Sequence, residues 1–264
     1  ESQALVELVD RSELTEPVIL VADRGYEAYN NMAHIEQKGW KYLIRVKDKQ
    51  GLLSGLRLTG APEFDAAFSY SLSKRLTNRI RQEPHKYRWI PKKVHFDYIG
   101  DASDALYPIS FRVVRFAVKE GLYETVITNL PADRFPPPLL RELYHKRWGI
   151  ETSFRDLKYT LALTHFHAKK RPFIKQEIFS RMTLYNFASL LRLHAVFTQP
   201  EGKHLYRINT AFAAHIAREF LLGFVPAVNV EPLITKFLLP VRPGLQKPRN
   251  MRAKRPISFQ YRMI

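Results

Sequence analysis

The hydrophobic pattern near the start of the chain predicts helices and strands in alternation. Two segments carry apolar side chains at helical spacing, and two others are continuous or alternating apolar runs typical of strands. In order, the predicted elements are a helix over residues 1–13, a strand over 18–22, a helix over 26–38 and a strand over 40–47. The 18–22 run (VILVA) is β-branched and unbroken, which indicates a buried parallel strand. Residues 18–47 therefore predict a β-α-β unit, with Asp23 beyond the carboxyl end of its first strand, where sites of such sheets lie.

The pattern changes over residues 48–122, where turn residues interrupt several short strand-like runs. Gly and Pro recur through this segment, and the runs cover residues 64–72, 93–99 and 109–118. We interpret the segment as a mostly β insertion.

The second half of the chain is predicted to be mainly helical. Residues 123–130 (YETVITNL) form one more β-branched strand, after which Phe135 and three prolines start a helix. The predicted helices cover residues 139–161, 173–196 and 210–222. Residues 241–264 are rich in Lys and Arg and contain no Asp or Glu, so we expect an extended basic arm there.

Composition narrows the range of partners. The 264 residues carry a formal net charge of +17, which favours a polyanion because Lys and Arg release counterions from phosphates. Nucleic acid is the leading candidate, with a ribosome-associated protein and a membrane-surface binder as alternatives. No apolar run approaches the roughly 20 residues of a membrane helix. The chain contains no cysteine, which excludes disulfides and thiolate metal sites.

The basic residues of the 48–122 segment strengthen the nucleic-acid hypothesis. They are Lys74, Arg75, Arg79, Arg81, Lys86, Arg88, Lys92 and Lys93. Their one-sided charge favours contact with DNA, although a solvated surface would have a similar composition.

A second basic segment contains His165 and His167, followed by Lys169 and Lys170. The two histidines could bind a metal ion, but no second pair of ligands lies nearby to complete a zinc site. We therefore favour DNA-facing or helix-capping roles for the histidines. Charge and position predict that all four side chains contact the DNA backbone.

One edge of the predicted 139–161 helix carries four polar side chains. At about 100° per residue, Tyr144, Arg147, Glu151 and Lys158 fall within about 60° of one another. An apolar stripe adjoins them, formed by Leu143, Ile150, Phe154, Leu157 and Leu161. Taken singly, each polar residue could belong to an ordinary salt-bridge ladder on a helix surface.

The spacing of these four residues resembles a known signature. Tyr144-x2-Arg147-x3-Glu151-x6-Lys158 is similar to the motif of DDE transposases of bacterial insertion sequences, specifically insertion-sequence family four. Neighbouring segments resemble the same family: VADRGY around Asp23, HKRWGIETSFRDLK around Glu151, THFHAKK at 164–170 and EIFSRMTLYNF at 177–187. The resemblance covers most of the chain and is strongest at 18–47 and 123–190.

The resemblance implies an α/β fold with an RNase H-like catalytic core that is incomplete at the N-terminus, a mostly β insertion and a helical C-terminal region. The implied domains are a core of residues 1–47 and 123–200, an insertion of residues 48–122, and a C-terminal region of residues 201–264 with the basic tail. The element order predicted from the hydrophobic pattern agrees with this arrangement.

The resemblance also implies the chemistry and the residues that perform it. Asp23 and Glu151 would be catalytic residues that bind Mg²⁺ or Mn²⁺, hard cations that prefer carboxylate oxygen. Two such ions would activate water or a 3′-hydroxyl for in-line displacement at phosphorus. Tyr144, Arg147 and Lys158 would contact phosphates and the transposon end.

Further contacts and partners follow from the same resemblance. Some relatives place an aromatic residue at the position of Tyr123 that stacks on a flipped base. A tyrosine packed in the core is an equally good interpretation of Tyr123. The implied partners are DNA, as terminal inverted repeats and target, and a second copy of the chain on paired ends. The implied location is the bacterial cytoplasm at the nucleoid, with no membrane.

One required residue has no match in the sequence. The family needs a first aspartate on a strand well upstream of Asp23, and Asp10 lies inside the predicted first helix. We therefore expect an N-terminally truncated transposase that does not cleave DNA by itself. The alternatives are a non-catalytic DNA- or RNA-binding remnant and another RNase H-like nuclease such as a resolvase, against which the four-residue signature argues.

Overall fold

The computed structural model describes residues 1–48, 51–56, 58–101 and 103–241. The chain divides into two compact units, Glu1–Trp148 and Gly149–Ile264. The first unit is built on a β-sheet, and the second is mainly helical. The basic arm predicted for residues 241–264 lies outside the described residues except for Val241.

The first unit contains ten helices and strands among its described residues. In chain order they are α1 (Ser2–Arg11), β1 (Ile19–Ala22), α2 (Tyr29–Gln37), β2 (Lys41–Arg45), β3 (Phe64–Ser73), α3 (Asn78–Gln82), β4 (Tyr87–Trp89), β5 (Tyr107–Lys119), β6 (Leu122–Thr128) and α4 (Pro137–His145). Two short 3-10 turns, Arg24–Tyr26 and Gly51–Leu53, follow β1 and β2.

The six strands form one mixed sheet in the order β1-β2-β6-β5-β3-β4. β1 runs parallel to β2, with Ala22 opposite Ile44. This pairing, with α2 between the two strands, confirms the β-α-β unit predicted at residues 18–47. β2 then pairs antiparallel with β6, and β6, β5 and β3 continue as antiparallel neighbours. The strands β3, β4 and β5 of the predicted insertion therefore extend the same sheet. The division into a core of residues 1–47 and 123–200 and an insertion of residues 48–122 stays a prediction.

Apolar side chains bury β2 on both faces of the sheet. Tyr42 and Ile44 belong to a cluster that includes residues of α1 and α2, whereas Leu43 between them belongs to a second cluster with Leu140 and Tyr144 of α4. Neighbouring residues of a strand point to opposite faces, so β2 is buried on both sides. This burial matches the continuous apolar character of the strand.

Two predictions about local structure were wrong. Residues 93–99 form turns rather than a strand. The Val94 amide bonds to the nearby Pro91 carbonyl, and the buried side chains of Phe96 and Ile99 hold the segment against the core. The helix predicted over residues 139–161 is interrupted: α4 ends at His145, and the next helix begins at Trp148.

The second unit joins helices through a small β ribbon. Its elements are α5 (Trp148–Arg155, which begins at the unit boundary), a π-helical turn (Asp156–Thr160), α6 (Arg171–His194), β7 (Tyr206–Ile208), α7 (Thr210–Leu221), α8 (Ala227–Lys236) and β8 (Leu238–Pro240). α6 and α7 confirm the helices predicted at 173–196 and 210–222. The pattern did not predict α8 or the antiparallel β7–β8 pair. Across the part of the chain that the structure describes, no helix has the length and apolar character to cross a membrane.

Candidate active site

Asp23 occupies the turn directly after β1, as the sequence predicts. Its Oδ1 accepts a hydrogen bond of 2.7 Å from the Arg24 amide, and its carbonyl accepts one of 3.0 Å from the Tyr26 amide. The side chain keeps 44% of its surface exposed. Because Ala22 lies opposite Ile44 in the parallel pair, Asp23 stands beside the end of β2. A rigid turn thus presents a solvent-accessible carboxylate at the carboxyl end of two parallel strands.

An open pocket of about 970 Å³ surrounds this carboxylate. It is lined by the acidic residues Asp23, Glu27, Asp48 and Glu124, the basic residues Arg24, Arg45 and Lys47, and the ring of Tyr123. The pocket is therefore polar and mixed in charge, unlike the mostly apolar pockets that hold small apolar molecules.

The other acidic side chains of the pocket have identifiable partners. Glu124 forms an ion pair with Arg45 at 3.4 Å. Glu27 accepts hydrogen bonds from two backbone amides, and Asp48 accepts one from the Thr125 hydroxyl. These contacts give structural roles to the other carboxylates. Asp23 accepts its hydrogen bond from the neighbouring amide and also lies beside a cationic side chain.

That cationic side chain is Arg147. Its NH1 lies 3.9 Å from Asp23 Oδ2, and its side chain is 10% exposed. The guanidinium also lies over the rings of Trp148, at 4.9 Å, and Tyr144, at 5.7 Å. Cation–π contacts of this kind fix a planar guanidinium in one orientation. The structure thus brings together Asp23 and the arginine of the signature, both within the first unit.

Tyr144 is more deeply buried than the sequence suggests. Tyr144 is 1% exposed and packs with Leu43 and Leu140 between α4 and the face of the sheet that carries Leu43. Its hydroxyl is buried and makes no hydrogen bond to any described residue. Burial raises the pKa of Tyr144, and the Arg147 guanidinium opposes this rise in part. Tyr144 therefore packs against Arg147 in the interior of the first unit, with its hydroxyl closed off from solvent.

The four signature residues do not share one helix, which corrects the prediction of a continuous edge. Tyr144 lies in the last turn of α4, which ends at His145. The amides of Lys146 and Arg147 bond to the Leu143 and Tyr144 carbonyls three residues back, the tighter pattern that is frequent at helix ends. Glu151 lies exposed in the first turn of α5. Lys158 is exposed on the π-helical turn. Glu151 and Lys158 belong to the second unit, and Tyr144 and Arg147 to the first.

Tyr123 lies near the start of β6 and lines the Asp23 pocket. The Arg115 guanidinium lies 5.1 Å from the centre of its ring. The tyrosine is half-buried and belongs to no apolar core cluster of the described residues. This placement favours the interpretation of Tyr123 as a pocket wall over that of a core residue.

In the second unit, the basic residues 165–170 form the loop before α6. His167, Lys169 and Lys170 are exposed, and His165 is half-buried. Glu177 of α6 holds the loop by accepting hydrogen bonds from the amides of His167, at 3.0 Å, and Ala168, at 2.7 Å. Sequence analysis missed this role of Glu177. The available signal was the Glu177-x3-Arg181 spacing, which places an ion-paired arginine one turn further along.

The donor set shows what the site can hold. Carboxylate oxygens such as those of Asp23 are the ligands that divalent magnesium prefers. Within residues 1–48, 51–56, 58–101 and 103–241, no group of three or more His, Asp or Glu side chains is placed to bind a metal ion. The chemistry of the donors fits, but a complete ligand cluster is not assembled in this part of the chain.

The first unit is a mixed α/β structure with an exposed carboxylate at a parallel strand end and Arg147 of the signature beside it. A family model described as the transposase DDE domain matches residues 1–187, and the chain belongs to that family. No curated protein matches it. Membership implies transposition or nuclease activity on DNA, and domains of this family generally use divalent metal ions. The six-stranded mixed sheet with its helices is consistent with an RNase H-like domain.

Proposed function

We propose that the chain is a transposase of an insertion sequence of family four, which cuts and joins DNA strands by two-metal carboxylate catalysis on an RNase H-like core. The observation that carries this proposal is the pairing of Asp23 with Arg147 at the carboxyl end of β1. A carboxylate and a fixed guanidinium at this position suit a phosphodiester, since the former binds metal ions and the latter binds phosphate oxygens.

In this proposal Asp23 and Glu151 are ligands of Mg²⁺ or Mn²⁺. The metal ions, when bound, would activate the attacking oxygen and stabilise the leaving oxygen. Arg147 binds a non-bridging phosphate oxygen, held in place by Trp148 and Tyr144. Tyr144 supports this contact through its ring, which lies against the Arg147 guanidinium, while its hydroxyl is buried.

The remaining DNA contacts are proposed from exposure and charge. Lys158 is solvent-exposed and supplies a point charge for the transposon end. The loop residues His165, His167, Lys169 and Lys170 bind the DNA backbone. Tyr123 offers a ring face to an unstacked base. We also propose action on paired transposon ends as a homodimer, in the bacterial nucleoid.

A second candidate is a non-catalytic DNA-binding protein. It is favoured by one observation, that no three-ligand metal cluster occurs within the described residues. Such a protein would bind duplex DNA without cleaving it, in line with the expectation from the sequence, in which the family's first aspartate has no match.

Mn²⁺ binding separates the two candidates. We expect the chain to bind Mn²⁺ in electron paramagnetic resonance titrations, and Asp23→Asn or Glu151→Gln to weaken this binding at least about tenfold, since each removes a charged ligand. Asp104→Asn is the control, because Asp104 is exposed and paired with Arg75 outside the pocket. Equal Mn²⁺ binding by all variants, with unchanged DNA affinity, would favour the non-catalytic protein. Mg²⁺-dependent strand cleavage by the chain would overturn the expectation of inactivity.

A further inference from the structure

The carboxylate of Glu27 joins two segments of the Asp23 pocket. Its Oε2 accepts a hydrogen bond of 2.9 Å from the Lys47 amide, and its Oε1 accepts one of 2.7 Å from the Leu52 amide. Glu27 directly follows the turn Arg24–Tyr26, and its backbone amide donates a hydrogen bond to the Arg24 carbonyl. The side chain therefore connects the turn that carries Asp23 to Lys47 and Leu52, the two residues that it contacts in the loop after β2.

The loop is shaped to fit this carboxylate. Gly51 has a φ of +59°, and a Cβ at this position would overlap Oε1 of Glu27. Any L side chain here would both strain the backbone and push the carboxylate away from the Leu52 amide. The close approach of Glu27 to the loop thus depends on a residue without a side chain.

The same loop connects to the wall that carries Tyr123. Asp48 accepts a hydrogen bond from the Thr125 hydroxyl and lies 3.6 Å from the Arg115 guanidinium. Arg115 in turn lies over the ring of Tyr123. A continuous series of contacts therefore runs from Glu27 through the loop and Asp48 to Arg115 and Tyr123.

We propose that Glu27 is a positioning residue that holds the loop after β2, so that Asp48 and Arg115 fix the Tyr123 ring as a DNA-contacting wall of the pocket. This inference rests on the proposed function, because that function gives Tyr123 its DNA contact. Both Glu27 oxygens accept amide hydrogen bonds, so we assign Glu27 to positioning although it lies close to Asp23.

The chemistry of the contact suggests the substitution. A carboxylate accepts at both oxygens, whereas the amide of glutamine accepts at one and donates at the other. Glu27→Gln therefore keeps the shape of the side chain but places its NH2 group, a donor, opposite one of the two backbone N–H groups, so that one hydrogen bond is lost. Glu63→Gln is a matched control, since the Glu63 carboxylate also accepts a backbone amide hydrogen bond, from Ala117, and Glu63 does not line the Asp23 pocket.

The first measurement is amide hydrogen exchange of the full chain without DNA. We expect Glu27→Gln to speed exchange at the Lys47 and Leu52 amides at least about tenfold, while amides of the β5–β6 pair keep their protection. Unchanged protection at Lys47 and Leu52 would overturn the proposal. Exchange that increases throughout the sheet would also overturn it, because Glu27 would then support the fold as a whole.

The second measurement is a double-mutant cycle on affinity for a labelled, mixed-sequence DNA duplex. We expect Glu27→Gln and Tyr123→Ala each to weaken binding about five- to tenfold, and the double variant to bind no more weakly than Tyr123→Ala alone. Additive losses would overturn the positioning role. Failure of the unsubstituted chain to bind the duplex would instead overturn the proposed function, and exchange at Leu52 would still show whether Glu27 holds the loop.

Discussion

Each of the two units has a loop held by a glutamate that accepts two backbone amides, and the two arrangements differ in reach. Glu27 binds amides 20 and 25 residues away in the chain, on either side of a loop. Glu177 binds two adjacent amides 10 and 9 residues away, in the segment leading into its own helix. Glu27 therefore joins segments that follow two different strands, β1 and β2, whereas Glu177 orders the segment next to its own helix.

The surroundings of the two carboxylates differ as well. Glu27 meets a glycine whose missing side chain makes room for it. Glu177 meets Arg181, which also donates to the Ala162 carbonyl at 2.6 Å. The first loop therefore depends mainly on shape and the second mainly on charge. Substitutions that alter shape or charge separately can test this difference.

The largest effect is expected from Gly51→Ala. The new methyl group would overlap Glu27 in a backbone conformation that already disfavours side chains, so we expect a loss of about 2–4 kcal/mol in unfolding free energy. Urea denaturation measures this loss. Gly121→Ala is the control, because Gly121 has a φ of +71° and no neighbouring described atom within 4 Å of an added Cβ. It should cost only about 1 kcal/mol, and equal losses in both variants would contradict a role for the Glu27 contact.

A smaller, pH-dependent effect is expected from Glu177→Gln. Burial by itself would raise the pKa of Glu177, but the Ala168 and His167 amides and Arg181 lower it below its ordinary value. The charged form therefore stabilises the second unit at neutral pH. This stabilisation is lost as pH falls from the ordinary glutamate pKa, about 4.3, through the lowered value.

Urea denaturation at neutral and acidic pH checks this prediction. At pH 7 we expect Glu177→Gln to cost about 1–2 kcal/mol, and the difference from the unsubstituted chain to shrink in acid. Glu231→Gln is the control, because Glu231 accepts one exposed amide, that of Val196. A Glu177→Gln deficit that stays constant down to acid pH would show that charge is not the cause.

His34 of the first unit should respond to pH in the other direction. Its ring nitrogens lie 2.9 Å from Asp10 and 2.8 Å from Asp97, and the side chain is 11% exposed. Burial by itself lowers the pKa of His34, but the two carboxylates outweigh it and leave the pKa raised. The resulting stability is complete below the ordinary histidine pKa, about 6.5, and is lost as pH rises through the raised value.

His34→Gln should remove this pH dependence. We expect the substitution to cost about 1 kcal/mol at pH 6 and progressively less as pH rises above 7. Thermal denaturation across this range measures the change. His95→Gln is the control, since His95 contacts the other oxygen of Asp97 and is largely exposed. A deficit that grows as pH rises would contradict the assigned sign.

The smallest effect is expected from the exposed loop lysines of the second unit. Lys169→Gln and Lys170→Gln should each lower the slope of log affinity for duplex DNA against log salt by about one. Fluorescence anisotropy over a range of salt concentrations measures these slopes. Lys203→Gln, at another exposed lysine of the same unit, should leave the slope unchanged. Identical slopes in all variants would remove the loop from the DNA interface.

The sequence predicts elements well where one period dominates. The β-branched run ending at Ala22, the alternating β2 and the long α6 were all identified, because burial on one or two faces leaves a regular pattern. Asp23 could be placed for the same reason, since a strand end fixes its position. The arginine of the signature could be identified by spacing, but its contact with Asp23 could not, because the distance depends on how α4 packs.

Other features leave no periodic signal. The break between α4 and α5 coincides with bonds from the Lys146 and Arg147 amides to carbonyls three residues back, which the spacing of side chains does not reveal. Residues 93–99 look like a strand because Val94, Phe96 and Tyr98 alternate with polar residues, although Val94 is exposed and Ile99 is buried instead. Glu27 and Glu177 act on backbone amides, and amides are present at nearly every residue. Such contacts can be found only once the fold brings the segments together.

The position of β2 in the sheet also bears on how the chain folds. β2 pairs on one side with β6, and the Thr128 hydroxyl binds the Tyr42 carbonyl across 86 residues of sequence. During synthesis, β1 and β2 would emerge well before this partner, with apolar side chains on both faces. Pairings this distant in sequence form slowly, whereas the helices of the second unit depend on local contacts. The first unit is therefore expected to set the folding rate and to be the part most in need of chaperones.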